Sequence, residues 1–111
     1  MRYNNIEVIF MQTIIYGVLQ EEKKRNLEMQ EVCRREISTL PKGTIIVKNV
    51  CGNKYYYLKY RQAAKIKTDY LGKNKEQIEA VKREIERRNE YKKTLKRLRV
   101  EYKQISKIVK D

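Results

Sequence analysis

The chain has 111 residues and a formal net charge of +13, so it has room for one domain with a modest hydrophobic core. It contains no histidine and only two cysteines, Cys33 and Cys51. This inventory excludes a structural zinc site, which takes about four Cys or His ligands, and a nucleophile activated by histidine. Two cysteines without a metal-ligand spacing are typical of reduced thiols, and we expect a cytoplasmic protein without a cofactor.

The positive charge is unevenly distributed along the chain. Residues 1–41 are neutral overall, so residues 42–111 carry the whole excess of +13. A field of this strength attracts nucleic acid, an anionic membrane or an acidic protein surface. We therefore expect a polyanion site in the last two thirds of the chain.

The first predicted element is a helix over residues 12–40. Apolar residues recur there at steps of three and four, and Pro41 favours its end. The stretch Ile6–Leu19 is the most apolar part of the sequence, but it is shorter than the ~20 residues of a membrane helix and lacks a cleavage site. We interpret it as a buried helix or strand and expect no membrane partner. Met11 is an alternative start to Met1.

A three-stranded antiparallel β-meander is predicted over residues 43–72. The segments are rich in β-branched and tyrosine residues and alternate with a period of two. A turn that contains Gly52 separates the first two strands, and Gln62–Ala64 is interpreted as the second turn. The predicted strands are residues 44–50, 55–61 and 65–71.

A second helix is predicted over residues 74–110, with Asn74 as its N-cap and Gln77 completing a capping box. A helix of this length needs a partner for its apolar stripe. We predict that the two helices pair as an antiparallel coiled-coil hairpin with the sheet at its tip, in a single α+β domain spanning residues 1–111. Because the last helix is the longer one, part of its stripe is expected to remain available for a homodimer.

Strand alternation predicts one apolar face of the sheet that packs on a helix and one basic face. Lysine and arginine neutralise phosphates, and tyrosine offers a ring for stacking and a hydroxyl group for a phosphate. Lysine on an outer face also protects an ordinary small sheet against edge-to-edge aggregation, and tyrosine is a good strand former. The candidate nucleic-acid-binding residues of the sheet are Lys48, Lys54, Tyr55, Tyr57, Lys59, Arg61, Lys65 and Lys67.

The second helix provides the other candidate site, because basic residues recur along it every four or five positions. From Lys82 to Arg88 glutamates are interleaved, which is typical of a solvated face with ion pairs. From Lys92 to Arg99 there is no acidic residue, which favours binding to a phosphate backbone. The candidate residues are Lys92, Lys93, Lys96, Arg97 and Arg99.

The segment from Tyr56 to Lys73 carries a resemblance to a known family. It reads Tyr-Tyr-Leu-Lys-Tyr-Arg, a short turn, and Lys-Ile-Lys-Thr-Asp-Tyr-Leu-Gly-Lys before a helix, and it resembles the three-stranded DNA-binding sheet at the N-terminus of phage-type tyrosine recombinases. It is also similar to ribbons in small basic proteins of phages and mobile elements. The resemblance covers about 35 of the 111 residues. It departs from the family pattern in lacking a turn glycine near Ala63 and in having a long helix ahead of the sheet. It implies insertion of the sheet into a DNA major groove, without strand cleavage.

The sequence therefore predicts a non-catalytic nucleic-acid-binding protein of phage or mobile-element origin, whose ligand is DNA or RNA. No pair of carboxylates is marked out for acid–base chemistry and no glycine-rich phosphate loop is present, so we do not expect an enzyme. Two alternatives are a phage-encoded, anti-CRISPR-like inhibitor that binds a host defence nuclease or its guide RNA, and a coiled-coil scaffold whose charge maintains solubility.

Overall fold

The computed structural model describes residues 4–110, which form a helix, three strands and a second helix. This order confirms the predicted α+β class. The chain divides into two compact units, one made of the chain up to Arg35 and from Lys92 onward, and the other of Glu36–Tyr91. Both helices contribute residues to both units. The elements are α1 (Asn5–Thr39), β1 (Thr44–Val50), β2 (Asn53–Gln62), β3 (Lys65–Gly72) and α2 (Lys75–Ile108).

Helix α1 begins at Asn5, earlier than the predicted start at residue 12. The Asn4 side-chain oxygen accepts a hydrogen bond from the Glu7 N–H at 2.7 Å, and the Glu7 carboxylate accepts one from the Asn4 N–H at 3.2 Å. This reciprocal pair satisfies two backbone donors that a helix start leaves without partners. The spacing of Asn4 and Glu7 in the sequence indicates this helix start. The apolar run that follows hides the helical period, so the prediction placed the start too late. Neither helix within residues 4–110 is long and apolar enough to cross a membrane.

In the first unit, the two helices lie antiparallel. The Asn26 amide donates to the Leu98 carbonyl oxygen at 2.9 Å, and the Lys23 ammonium group donates to the Val109 carbonyl oxygen at 3.1 Å. Residues earlier in α1 therefore lie beside residues later in α2, which confirms the predicted antiparallel direction of the two helices. The apolar seam of this unit is formed by Cys33, Leu95, Leu98 and Val109, which are all buried.

A chain of polar side chains crosses this seam. The Arg34 guanidinium donates to the Gln30 side-chain oxygen, the Gln30 amide donates to the Asn26 oxygen, and the Asn26 amide donates to the Leu98 carbonyl. Asn26 and Gln30 are buried, whereas the apolar Met29 beside them is 44% exposed. Burial of two amides is tolerated because each finds a partner, and such groups fix the register of a helix pair.

In the second unit, the strands form a sheet in the order β1-β2-β3, with both neighbouring pairs antiparallel. Its core contains Leu58 and Ile78, which are both buried. Asn74 caps α2 by accepting a hydrogen bond from the Glu76 N–H at 2.9 Å. The last turn of α1 has no basic residue of its own, and Arg88 donates to the Ile37 carbonyl there at 3.3 Å. This bond satisfies one of the carbonyls that the helix end leaves open.

Gly43 is the glycine that the fold requires most strictly. Its φ is 123°, and a Cβ at this position would lie 2.4 Å from the Lys59 carbonyl oxygen of β2. Gly17 in α1 has no atom within 4 Å of the corresponding position. The two glycines therefore have opposite roles, because Gly43 permits a close backbone approach and Gly17 only lowers helix propensity.

We predict that Gly43→Ala lowers the free energy of unfolding by about 2 kcal/mol or more, because strain adds to a backbone clash. The matched control Gly17→Ala should raise it by roughly 0.5–1 kcal/mol. Urea unfolding followed by circular dichroism measures both changes. A Gly43→Ala variant as stable as the wild type would contradict the close approach of Gly43 to β2.

Candidate nucleic-acid interface

Two short turns set the register of the sheet. Cys51 and Gly52, with φ values of 51° and 80°, connect β1 to β2 as a two-residue turn. Ala63, with a φ of 55°, and Ala64 connect β2 to β3 in the same number of residues. Positive φ at the first central position is typical of the tight hairpin turns whose twist matches that of the flanking strands. Gln62 therefore pairs with Lys65.

This register corrects the predicted placement of Lys65 and Lys67. Lys67 lies opposite Tyr60 and Lys65 opposite Gln62, so both lysines share the face of the buried Leu58. The sequence analysis counted Gln62 as part of the turn, which shifts the pairing by one residue. A shift of one residue moves every side chain of a strand to the other face.

Lys54 also lies apart from Tyr55 and Tyr57, since it occupies the same alternation set as Leu58 in β2. It pairs with Asn49 next to the first turn and is exposed. The lysine of β1, Lys48, pairs with Tyr55 and therefore does lie on the predicted basic face. Three of the eight candidate residues of the sheet thus lie on the opposite face, namely Lys54, Lys65 and Lys67.

Tyr70 takes a place on this face that the sequence analysis did not assign to it. Tyr70 pairs with Tyr57, and their ring centroids are 5.3 Å apart with the planes tilted by 52°. The Tyr55 ring lies 6.4 Å from the Tyr70 ring. Aromatic pairs at such distances and tilts attract each other through their edges and faces. We use the name tyrosine face for Tyr55, Tyr57, Tyr70, Lys48, Lys59, Arg61, Thr68, Ile46, Ile66 and the adjoining Lys73.

Two ammonium groups lie over the rings of the tyrosine face. The Lys48 nitrogen is 4.7 Å from the Tyr57 centroid, and the Lys73 nitrogen is 4.6 Å from the Tyr55 centroid. Both distances fall within the range of a cation–π interaction. The rings therefore attract the two charges at the surface, where both lysines are exposed.

The other end of the tyrosine face contains an open depression of about 460 Å³. Ile46 and Ile66 line it together with Lys59 and Arg61. Ile66 is 59% exposed. An apolar patch between two cations suits a ligand with both anionic and apolar groups.

The one carboxylate among the described strand residues lies on the opposite face. Asp69 pairs with Leu58 and hydrogen-bonds to the neighbouring Tyr60. This hydrogen bond raises the pKa of the Tyr60 phenol above its ordinary 10.0, with smaller contributions from burial and from the negative charge of Asp69. Among the described strand residues, the tyrosine face therefore carries cations and no carboxylate.

The basic residues of α2 form a longer surface than the sequence analysis indicated. The candidate residues of α2 are all exposed: Lys92, Lys93, Lys96, Arg97 and Arg99. Arg97 pairs with Glu101 at 3.6 Å, which compensates part of its charge. Lys103 and Lys107 are exposed and follow Arg99 at steps of four. We use the name basic line for Lys92, Lys96, Arg99, Lys103 and Lys107.

The basic line extends along one side of α2 for roughly 22 Å at 1.5 Å per residue. Glu101 projects from a different side, about 160° away around the helix axis from Lys103 at 100° per residue. The sequence analysis ended the basic stretch at Arg99 because Glu101 interrupts it in the chain. The helical period was the signal that would have added the last two lysines.

The residues of the two basic surfaces offer contacts for an anion. Within residues 4–110, no three His, Cys, Asp or Glu side chains come together as metal ligands. Cys33 is buried, Cys51 is exposed at the first turn, and both are free thiols. What the two basic surfaces can do chemically is to donate hydrogen bonds and neutralise negative charge.

The Tyr60–Asp69 contact gives a test of the register. In the wild type, Tyr60 should titrate above pH 10.0, and Asp69→Asn should lower that pKa. Because the hydrogen bond favours the neutral phenol, the stability it contributes is present below pH 10 and is lost as the pH rises through the raised pKa. Tyrosine ¹³Cζ NMR titration measures both variants. Glu76→Gln, which removes a carboxylate elsewhere in this unit, should leave the Tyr60 pKa unchanged, and an equal effect of both substitutions would contradict the contact.

Comparison with known proteins gives one match. A family model described as Domain of unknown function (DUF6788) matches residues 18–80. No curated protein and no solved structure matches the chain. The matched segment contains the whole tyrosine face, whereas the basic line lies outside it. Since the match covers more than half of the 111 residues, the chain belongs to the DUF6788 family.

Proposed function

We propose that this protein binds nucleic acid through the tyrosine face and catalyses no reaction. One observation carries the proposal. The Lys48 and Lys73 ammonium groups lie over tyrosine rings at 4.7 and 4.6 Å, on a face with two further cations and no strand carboxylate. A face that only maintained solubility would be expected to mix both signs of charge.

The chemistry of this face suits phosphate. Ammonium and guanidinium groups neutralise phosphates, and phenol hydroxyl groups donate hydrogen bonds to phosphate oxygens. The ring contacts of Tyr70 with Tyr55 and Tyr57 restrict these side chains before a ligand arrives. Restriction in advance reduces the entropy lost on binding, which raises affinity without new contacts.

Duplex DNA is the ligand to test first. A β-ribbon fits into the major groove, where arginine can contact guanine and an apolar side chain can contact the thymine methyl group. Arg61 flanks the depression that Ile46 and Ile66 line, so both kinds of contact are available at one end of the face. The resemblance of this segment to the DNA-binding sheet of phage-type tyrosine recombinases supports the same choice.

The basic line is a second phosphate contact in this proposal. It has five exposed cations at steps of three and four, and Glu101 lies on another side of the helix. Contacts of this kind add affinity that does not depend on base sequence. Lys93 and Arg97, beside the basic line, extend it to the flank of the helix.

A cytoplasmic location and a phage or mobile-element origin belong to the same proposal, and the family assignment does not bear on them. The protein-directed alternative is an inhibitor that binds a host defence nuclease or its guide RNA. It predicts a different result in the experiment below, because such an inhibitor requires its target complex and need not hold free nucleic acid.

We expect affinity in the micromolar range or tighter for a labelled duplex, falling steeply as salt increases. Fluorescence anisotropy with duplex DNA, single-stranded DNA and structured RNA across a salt series measures this. Lys59→Glu/Arg61→Glu should weaken binding at least tenfold and reduce the slope of log affinity against log salt by roughly 2.

Lys65→Glu/Lys67→Glu is the matched control, because it makes the same change of charge in the same hairpin but on the opposite face. It should weaken binding clearly less, through the general field alone. No binding of any of the three nucleic acids at low salt would overturn the proposal. Equal losses in both double variants would remove the tyrosine face from the site.

A separate pair of variants tests the basic line. Lys96→Glu/Arg99→Glu should weaken binding about equally for all duplex sequences, since phosphate contacts carry no base information. Lys75→Glu/Arg83→Glu reverses the same number of charges near the start of α2, among glutamates, and should have a smaller effect. Anisotropy with two duplexes of unrelated sequence distinguishes the outcomes, and an unchanged affinity for Lys96→Glu/Arg99→Glu would exclude the basic line.

A further inference from the structure

The depression on the tyrosine face combines two isoleucines with two cations. Ile46 and Ile66 line it together with Lys59 and Arg61. Ile66 pairs directly with Arg61 across the β2–β3 ladder, and both side chains are exposed. Side chains paired in this way start from Cβ atoms about 4.5–5.5 Å apart. One ligand can therefore contact an apolar side chain and a guanidinium group at the same time.

Position distinguishes Ile66 from other exposed β-branched residues of the sheet. Isoleucine and valine are both good strand formers, so their presence alone does not indicate a ligand contact. Val47 is 48% exposed, but it lies on the face of Leu58 and does not line the depression. Ile66 is exposed beside two cations, in a concave part of the surface of about 460 Å³. This combination fits a small apolar group on the edge of a polar ring.

The end of the tyrosine face that carries Arg61 differs in its chemistry from the other end. Asp69 is the one acidic residue of the described strands and lies on the opposite face, so no strand carboxylate competes for the Arg61 guanidinium. Lys48 and Lys73 lie over tyrosine rings at the other end. The six steps from Tyr55 to Arg61 separate the two ends by roughly 20 Å at about 3.4 Å per residue. The two ends can therefore contact different parts of one nucleic acid.

We propose that the depression binds the 5-methyl group of a pyrimidine next to a guanine, so that methylation of the bases strengthens DNA binding. In the major groove, the C5-methyl group of thymine contacts apolar side chains, and guanine presents O6 and N7 to the fork of an arginine. Successive base pairs are about 3.4 Å apart, so the adjacent side chains of Ile66 and Arg61 match two successive pairs. This inference rests on the proposed function, because it concerns DNA held by the tyrosine face.

The same methyl group occurs on two bases. 5-Methylcytosine carries it on the ring atom that carries it in thymine, so a site that recognises the methyl group accepts either base. Unmethylated cytosine lacks the apolar contact, which makes cytosine methylation a switch for the affinity of this site. Burial of one methyl group strengthens binding about fourfold. Structured RNA is a poorer match, because uracil lacks the methyl group and side chains do not reach into the narrow major groove of A-form helices.

Fluorescence anisotropy with four forms of one short duplex of mixed sequence tests the methyl contact. The first form contains uracil and cytosine and has no 5-methyl group. The second replaces uracil by thymine, and the third replaces cytosine by 5-methylcytosine. The fourth is the second form with 7-deazaguanine, which has a carbon atom in place of the acceptor N7. We expect the second and third forms to bind about fourfold more tightly than the first, and the fourth to bind about tenfold more weakly than the second.

Two pairs of variants assign each effect to a side chain. Ile66→Ser should bind the first three forms equally, whereas Val47→Ser should keep the preference of the wild type. Arg61→Ala should lose the sensitivity to 7-deazaguanine, whereas Lys67→Ala should keep it, because Lys67 lies on the opposite face. Each result is a ratio of affinities within one variant, so a general loss of charge cancels. Circular dichroism should show the same fold throughout, since all four positions are exposed.

The unmodified protein already decides the main outcome. Equal affinity of the wild type for the first three forms would overturn the inference, and so would a preference for thymine that 5-methylcytosine does not reproduce. An affinity that 7-deazaguanine leaves unchanged would overturn the assignment of guanine. A methyl preference that survives in Ile66→Ser would arise from the altered shape of methylated DNA and would overturn the contact.

Failure of this inference is distinguishable from failure of the proposed function. Duplexes that bind without any methyl preference would overturn the inference alone. Tighter binding of structured RNA than of every duplex would also overturn the inference alone, because the protein would still hold nucleic acid. Absence of binding to all four duplex forms and to RNA at low salt would overturn both.

Discussion

The two-residue turn at Ala63 and Ala64 is the constraint on which the candidate site depends. It pairs Gln62 with Lys65 and so decides which side chains of β3 accompany those of β2. Ala63 adopts a φ of 55°, a conformation that disfavours residues with a Cβ. A three-residue turn, with Arg61 opposite Lys65, would exchange Tyr70 for Asp69 beside Tyr57. The cost of the strained alanine is about 1 kcal/mol, and it is offset by the full ladder of strand pairing on both sides.

This register separates the charges of the sheet in a way that matters for binding. Asp69 engages Tyr60 on the face that contains the buried Leu58, and the tyrosine face carries cations alone. The cations are also held in place, since Lys48 and Lys73 each lie against a ring. A flexible lysine loses about 2 kcal/mol of side-chain entropy when it is fixed by a ligand. Because Lys48 and Lys73 already contact tyrosine rings in the free protein, part of this side-chain entropy is lost before a ligand binds.

The helix pair solves a different physical problem. A protein with a net charge of +13 is destabilised by its own repulsion, and its apolar seam in the first unit is short. The chain from Arg34 through Gln30 and Asn26 to the Leu98 carbonyl adds directional bonds to that seam. Apolar side chains alone would permit neighbouring registers, whereas this chain of bonds is satisfied in one.

The sequence by itself determined the order and kind of the elements. Pro41 and Gly43 end α1, Asn74 starts α2, and β-branched and tyrosine residues form the strands between them, because these are local preferences of the backbone. The exposed positions of Lys92 to Arg99 also followed, since the period of a helix is fixed.

Only the tertiary structure decided which residues share a surface. The faces of Lys65, Lys67 and Tyr70 depend on the length of a turn, and alternation is the same for either register. The burial of Asn26 and Gln30 depends on partners 72 and 4 residues away in the chain, which the polarity of the two side chains does not reveal. The prediction that Ile6–Leu19 is buried was wrong, since most of its large apolar side chains are exposed. Burial depends on which part of α1 packs against α2, a relation between two distant segments that no local pattern contains.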